Sequence, residues 1–178
     1  MAEEKKDPWL NYLALTTVIL AVCATLATFK GGGYSTRSVM SQTRASDQWA
    51  FYQAKSIKGY IYEMQKEKLE LEMVTLAGKG SQAARDAYEK KIDDYGRKIA
   101  KYEGEKATIQ KDAKKFEVVR DDAQQHSQAF GIAVIFLQIA ILLSSIAALL
   151  KKKLVWLLGL AVGIAGIFYF VNGFLLFL

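Results

Sequence analysis

The chain has 178 residues, 52% hydrophobic and 24% charged, with a net charge of +6. Three stretches, Trp9–Phe29, Phe130–Leu150 and Leu154–Leu178, contain no Asp, Glu, Lys or Arg, so all 42 charged residues sit in the other 111. That segregation excludes a single soluble core.

Residues 1–8 form a short tail with Lys5 and Lys6, and Asp7-Pro8 is a helix-start signal: a capping carboxylate followed by proline in the first turn. The first apolar stretch, residues 9–29, holds 21 residues. At ~1.5 Å per residue it spans roughly 31 Å, the thickness of a bilayer's hydrocarbon layer. A signal peptide is the alternative. The run exceeds the usual ~7–15-residue apolar region, and no small-x-small cleavage site follows. Leu20-Ala21-Val22-Cys23 resembles a lipoprotein box, but Val22 stands where a small residue is required. Cys23 is the only cysteine, so an internal disulfide is excluded.

Gly31-Gly32-Gly33 follows. No Gly-Lys-Ser/Thr comes after it and no strand precedes it, so it is no phosphate loop. Its composition predicts a flexible exit from the bilayer, with residues up to Met40 bridging to the next helix.

Residues 30–128 are predicted to be an extramembrane helical hairpin. A helix runs from about Ser41 to Ala77, Gly78-Lys79-Gly80-Ser81 forms a turn, and a second helix runs unbroken from Gln82 to Leu150. The second arm carries a heptad. Tyr88, Tyr95, Tyr102, Ile109, Phe116, Ala123 and Phe130 lie seven apart, with Ile92, Ile99, Lys106, Ala113 and Arg120 in the alternate position. Such a seam predicts an antiparallel coiled coil, weakened at Lys106 and Arg120.

The first arm has one apolar stripe, Ala50, Ala54, Ile57, Ile61, Met64 and Leu71, interrupted by Lys68. It also carries Trp49, Phe51, Tyr52, Tyr60 and Tyr62. At about 100° per residue these rings point in more than one direction. One partner helix cannot cover them all, which predicts hairpins from several chains packing together. Placement of the rings at the bilayer interface is the alternative.

Residues 129–150 and 154–178 are the second and third predicted spans, joined by Lys151, Lys152 and Lys153. The positive-inside rule puts this tri-lysine loop and the N-terminus in the cytoplasm, and the hairpin in the periplasm. Lys30, Arg37, Lys114, Lys115 and Arg120 argue weakly the other way. Within the spans, Gly159-x-x-x-Gly163 allows close helix packing. Gln138 and Asn172 are candidates for interhelical hydrogen bonding or pore lining.

No catalytic constellation stands out. His126 is the lone histidine, and no Cys/His pair supports a metal site. Glu67, Glu70, Glu72, Asp93 and Asp94 lie among lysines, as on a solvated, ion-paired face. The tyrosines sit on the seam and the hairpin's charges are mixed, which argues against nucleic acid. The spans lack the ionisable groups that ion-coupled transporters carry. No cofactor is expected.

Three runs of sequence carry a family resemblance: Ala27-Thr28-Phe29-Lys30-Gly31-Gly32-Gly33-Tyr34-Ser35-Thr36-Arg37, the run from Ala45 to Lys58, and Ala129–Lys153. With these, the chain resembles an uncharacterised bacterial membrane family called domain of unknown function 4337. The resemblance implies an inner-membrane location and brings no activity, substrate or catalytic residue. The expectation is therefore an all-α membrane protein with three transmembrane helices and a long antiparallel coiled-coil hairpin between the first and second. Its expected role is non-enzymatic: a homo-oligomeric, structural or scaffolding assembly in contact with membrane lipid. A channel along the oligomer axis and a membrane-tethered module for an unknown protein partner are the alternatives.

Overall fold

The computed structural model describes residues 8–75 and 81–177. It is all-helical, with α1 (Pro8–Thr75), α2 (Gln82–Leu150) and α3 (Lys153–Leu175). Each helix contains a segment long and apolar enough to cross a membrane. Most of the predicted tail and most of the Gly78–Ser81 turn lie outside the described residues. Ser81 is described, and it starts α2: its carbonyl accepts from the Ala84 amide at 3.1 Å and its hydroxyl from the same amide at 3.4 Å.

The Gly31–Gly33 exit is corrected by the structure. α1 runs through these glycines without a break, so no extended bridge to Met40 exists. Glycine serves proximity here rather than termination. A Cβ at Gly31 would meet the Phe130 Cβ at 3.0 Å. Two open glycines beside it cost about 1 kcal/mol each in helix propensity. Packing on both sides offsets that: Ala27 is fully buried upstream, and Ser41 and Ala45 are buried downstream.

The chain divides into two compact units. One comprises α1 up to Met40 with Val119–Leu178, and the other is Ser41–Val118.

The first unit is a three-helix bundle with its core in three tiers. Trp9 and Leu13 pack on Ala147 with Trp156 beside them; Leu20 and Ala24 pack on Leu137 and Ala140; Ala27 packs on Phe130 and Ala133. Rising numbers on α1 meet falling numbers on α2, so the two are antiparallel here. Small residues set the spacing. Ala27, Ala133, Ala140 and Ala147 are all fully buried, and they let the backbones approach as small residues do between membrane helices. Leu15, Val18, Val22, Ile135, Leu142, Ile164 and many other large apolar side chains cover the outside. A bundle with an apolar exterior is compatible with a membrane-spanning one.

The turn after α2 is tight. Lys151 adopts a left-handed conformation (φ 52°), its amide donates to the Ala148 carbonyl at 3.4 Å, and the Lys152 amide donates to the Ala147 carbonyl at 3.2 Å. This is a Schellman cap built on lysine instead of glycine. α3 ends similarly at Leu176 (φ 46°), whose amide donates to the Asn172 carbonyl at 2.8 Å.

The second unit is an antiparallel helix pair. Arg44 lies over Phe116, Lys55 pairs with Glu105, Tyr62 stacks on Tyr102 and Tyr88 reaches Glu72.

Candidate functional site

In the second unit every described heptad position on α2 from Tyr88 to Phe116 is at least half-buried: Tyr88, Ile92, Tyr95, Ile99, Tyr102, Lys106, Ile109, Ala113 and Phe116. The partner positions on α1 are Ser41, Ala45, Gln48, Tyr52, Lys55, Gly59, Tyr62, Lys66, Leu69 and Met73, again alternating three and four apart and all shielded. This α1 seam is largely polar, and aromatic rings and cations hold it.

Tyr62 lies 5.8 Å from Tyr102 and 5.5 Å from Tyr95, centroid to centroid. Lys98 sits over both Tyr62 and Tyr95, and Lys55 over Tyr102. The seam lysine, Lys106, lies between Tyr52 and Tyr60 at 5.7 and 5.9 Å from their ring centres and pairs with Glu103. Its stem packs in the seam while its charge meets two ring faces. Trp49 donates its indole N–H to Glu117 at 2.8 Å and meets Tyr52 edge-on.

The charges are tuned by these partners. Lys55, 2.6 Å from Glu105, holds that carboxyl below its ordinary value, and the hydrogen bond from Lys98 does the same for Asp94. The hydrogen bond and charge of Glu72 push the Tyr88 phenol up. Each favours the form present at neutral pH.

The apolar stripe of the first arm faces the other way. Ile57 and Met64 are 60% and 64% exposed and Leu71 is 69%, with Ala50, Ala54 and Ile61 also open. Taken with Lys68 these positions step by four and three without a break, which is a coiled-coil period. They lie about 180° around α1 from the seam. Phe51 and Tyr60 are exposed at the two edges of this face and widen it to roughly 180°. The outward face of α2 is the opposite in kind. It is charged, carrying Lys90, Arg97, Lys101, Lys111 and Lys115 together with Asp86, Glu89 and Asp93, all exposed.

In the first unit, Gly159 and Gly163 serve contacts inside the chain. Gly159 lies against Leu143 and Ala140, and Gly163 against Leu20. Gly166 and Gly173 are tighter still. A Cβ at Gly166 would meet Leu137 at 2.9 Å, and one at Gly173 would meet the Phe130 ring at 2.7 Å.

Asn172 is buried, and its side-chain carbonyl accepts from the Phe177 amide at 2.9 Å, so it caps α3. Gln138 is exposed on α2, within the apolar stretch. Thr17, Thr25, Thr28 and Ser145 each satisfy their hydroxyl on a backbone carbonyl four residues back. Gln138 has no such local partner among the described residues. Lys152 and Lys153 are exposed in the α2–α3 turn with Lys151.

His126 has a role that no spacing in the sequence signals. Its Nδ1 lies 2.8 Å from the Gly173 carbonyl, which can only accept, so that nitrogen carries the proton. The ring stacks on Tyr34 at 4.4 Å, and Ser127 donates to the Gly31 carbonyl at 3.1 Å. His126 thus satisfies one of the free carbonyls at the end of α3. Among the described residues no group of three or more His, Cys, Asp or Glu is placed to hold a metal ion.

A family model described as a domain of unknown function (DUF4337) matches residues 9–176, and the chain belongs to that family. No curated protein matches the sequence. No solved structure matches it either.

Proposed function

We propose that this DUF4337 member is a non-enzymatic, homo-oligomeric membrane protein whose copies assemble through the outward face of the first arm. The carrying observation is the asymmetry of the second unit: an apolar, heptad-spaced outer face on α1 against a charged one on α2. A helix in water keeps its outer positions polar. Six apolar residues at coiled-coil spacing suit a helical neighbour, and copies oriented alike by a membrane offer each other the same face.

The width of the face favours a ring over a pair. An arc of about 180°, edged by Phe51 and Tyr60, exceeds what one helix covers. α1 then lines the inside of the bundle and α2 faces solvent with its lysines. Gln138 supports the same reading from within the apolar stretch, because an amide facing hydrocarbon gains from a partner on another helix. It also favours a second reading, a passive conduit along the ring axis. The tri-lysine turn supports an orientation with the N-terminus in the cytoplasm and the paired arms in the periplasm of a bacterial inner membrane.

Mass measurement in nanodiscs tests the proposal. The account expects an integral multiple, three or more, of the 19.9 kDa chain. A single copy per disc contradicts it.

A further inference from the structure

We infer that α1 holds the phosphate headgroup of an anionic phospholipid between Lys30 and Arg37. This rests on the membrane part of the proposal above and not on its oligomeric part. A groove of about 670 Å³ lies along this stretch of α1, lined by Phe29, Lys30, Gly32, Gly33, Thr36 and Arg37 among others.

Lys30 and Arg37 are seven residues apart, two turns and about 10 Å along one face of the helix. Gly33 sits between them on that face, and a Cβ there would meet nothing within 4 Å. Two cations therefore flank a strip of bare backbone. No other atom lies within 4 Å of where a Cβ would stand at Gly32 or Gly33, so this strip is a notch open to a ligand.

Depth and charge agree with that occupant. The uncharged stretch of α1 ends at Phe29, and Gly33 lies four residues, about 6 Å, beyond it. Phosphates of a bilayer lie about 5–8 Å outside the hydrocarbon edge. α1 has no Asp or Glu between Pro8 and Ser46. The nearby carboxylates of α2 are engaged elsewhere, Asp121 with Arg120 and Asp122 facing His126. Among the described residues neither Lys30 nor Arg37 has an ion-pair partner, whereas Lys55, Arg97, Lys98 and Lys106 each have one. Exposed Phe29 offers the acyl chain a surface just below.

Native mass spectrometry of the full chain in mild detergent, with phosphatidylglycerol or phosphatidylethanolamine added, tests the site. Wild type retains phosphatidylglycerol in preference to phosphatidylethanolamine. Lys30→Gln with Arg37→Gln loses one phosphatidylglycerol per protomer, an affinity drop of about thirtyfold for two interfacial cations. Gly33→Leu loses the same lipid with both charges intact, because it fills the notch. Lys114→Gln with Lys115→Gln, equal in charge change, leaves retention as it was.

Unchanged retention in Lys30→Gln/Arg37→Gln overturns the inference. So does displacement of the lipid by millimolar inorganic phosphate that is itself retained, which would make the ligand a soluble anion. Gly33→Leu altering protomer number with lipid retention intact also overturns it, since the notch would then seat a second copy. Flotation of wild type with liposomes after carbonate washing separates these outcomes from failure of the membrane reading itself.

Discussion

Replacing Ile57 and Ile61 together by Glu will dissociate the proposed assembly into single chains while leaving each chain helical. These side chains are 60% and 43% exposed in the isolated chain and sit on the face of α1 opposite its seam with α2. Their replacement therefore removes little of the packing within one chain. In a ring they would be buried, and each loses roughly 1.5–3 kcal/mol of apolar burial before any cost of enclosing a carboxylate. The sum, at least about 3 kcal/mol per protomer, weakens each contact more than a hundredfold. Circular dichroism should be unchanged while the mass falls to that of one chain. Retention of the full oligomer by the double variant would show that the first arm's outer face is not the contact.

The second large effect is inside the bundle. Gly166→Val will unseat α3 from α2. A Cβ alone would lie 2.9 Å from the Leu137 side chain and 3.0 Å from its backbone nitrogen, and Leu137 is fully buried. The neighbour cannot swing aside, so the helices must separate. Overpacking of this kind costs about 1–3 kcal/mol, and the backbone contact places Val at the upper end. In a thermal scan in detergent that is a fall of roughly 6–12 °C for a chain of this size. Gly104→Ala is the matched control. Its added methyl meets nothing within 4 Å, and α2 gains helix propensity, so its melting temperature should hold or rise. Equal loss in both variants would mean that the α2–α3 contact is not what stabilises the bundle.

Some of this structure was legible in residue order, and the boundary between legible and hidden has physical causes. The second arm could be read because its seam is made of Tyr, Ile and Phe at a fixed spacing of seven, and burial follows that spacing from Tyr88 to Phe116. The first arm misleads. Its apolar period, Ala50 to Leu71, marks the face turned away from α2. The seam that meets α2 contains Gln48, Lys55, Gly59 and Lys66, which carry no hydrophobic signal. Cation–π contacts and ring stacking make those residues adequate partners, and such contacts depend on geometry that a one-dimensional pattern does not contain.

Glycine was ambiguous for a related reason. Gly31 and Gly166 are helix-interior residues selected by what approaches them, Phe130 and Leu137, each far away in sequence. The same composition at Gly31–Gly33 suggested a break. In the opposite sense, Lys151 takes the left-handed conformation usual for glycine, so the tight turn after α2 carried no glycine to mark it. The contact of His126 with Gly173 joins a side chain to a backbone carbonyl 47 residues on, and no spacing rule describes such a pair.

Disulfide cross-linking in native membranes tests the central claim most directly, with single cysteines placed at Met64 or at Lys90 in a Cys23→Ser background. Met64 lies on the apolar outer face of α1 and Lys90 on the charged outer face of α2. The account predicts that Met64→Cys oxidises rapidly to a covalent dimer of the chain and Lys90→Cys does not. Cross-linking at Lys90 with none at Met64 would contradict it.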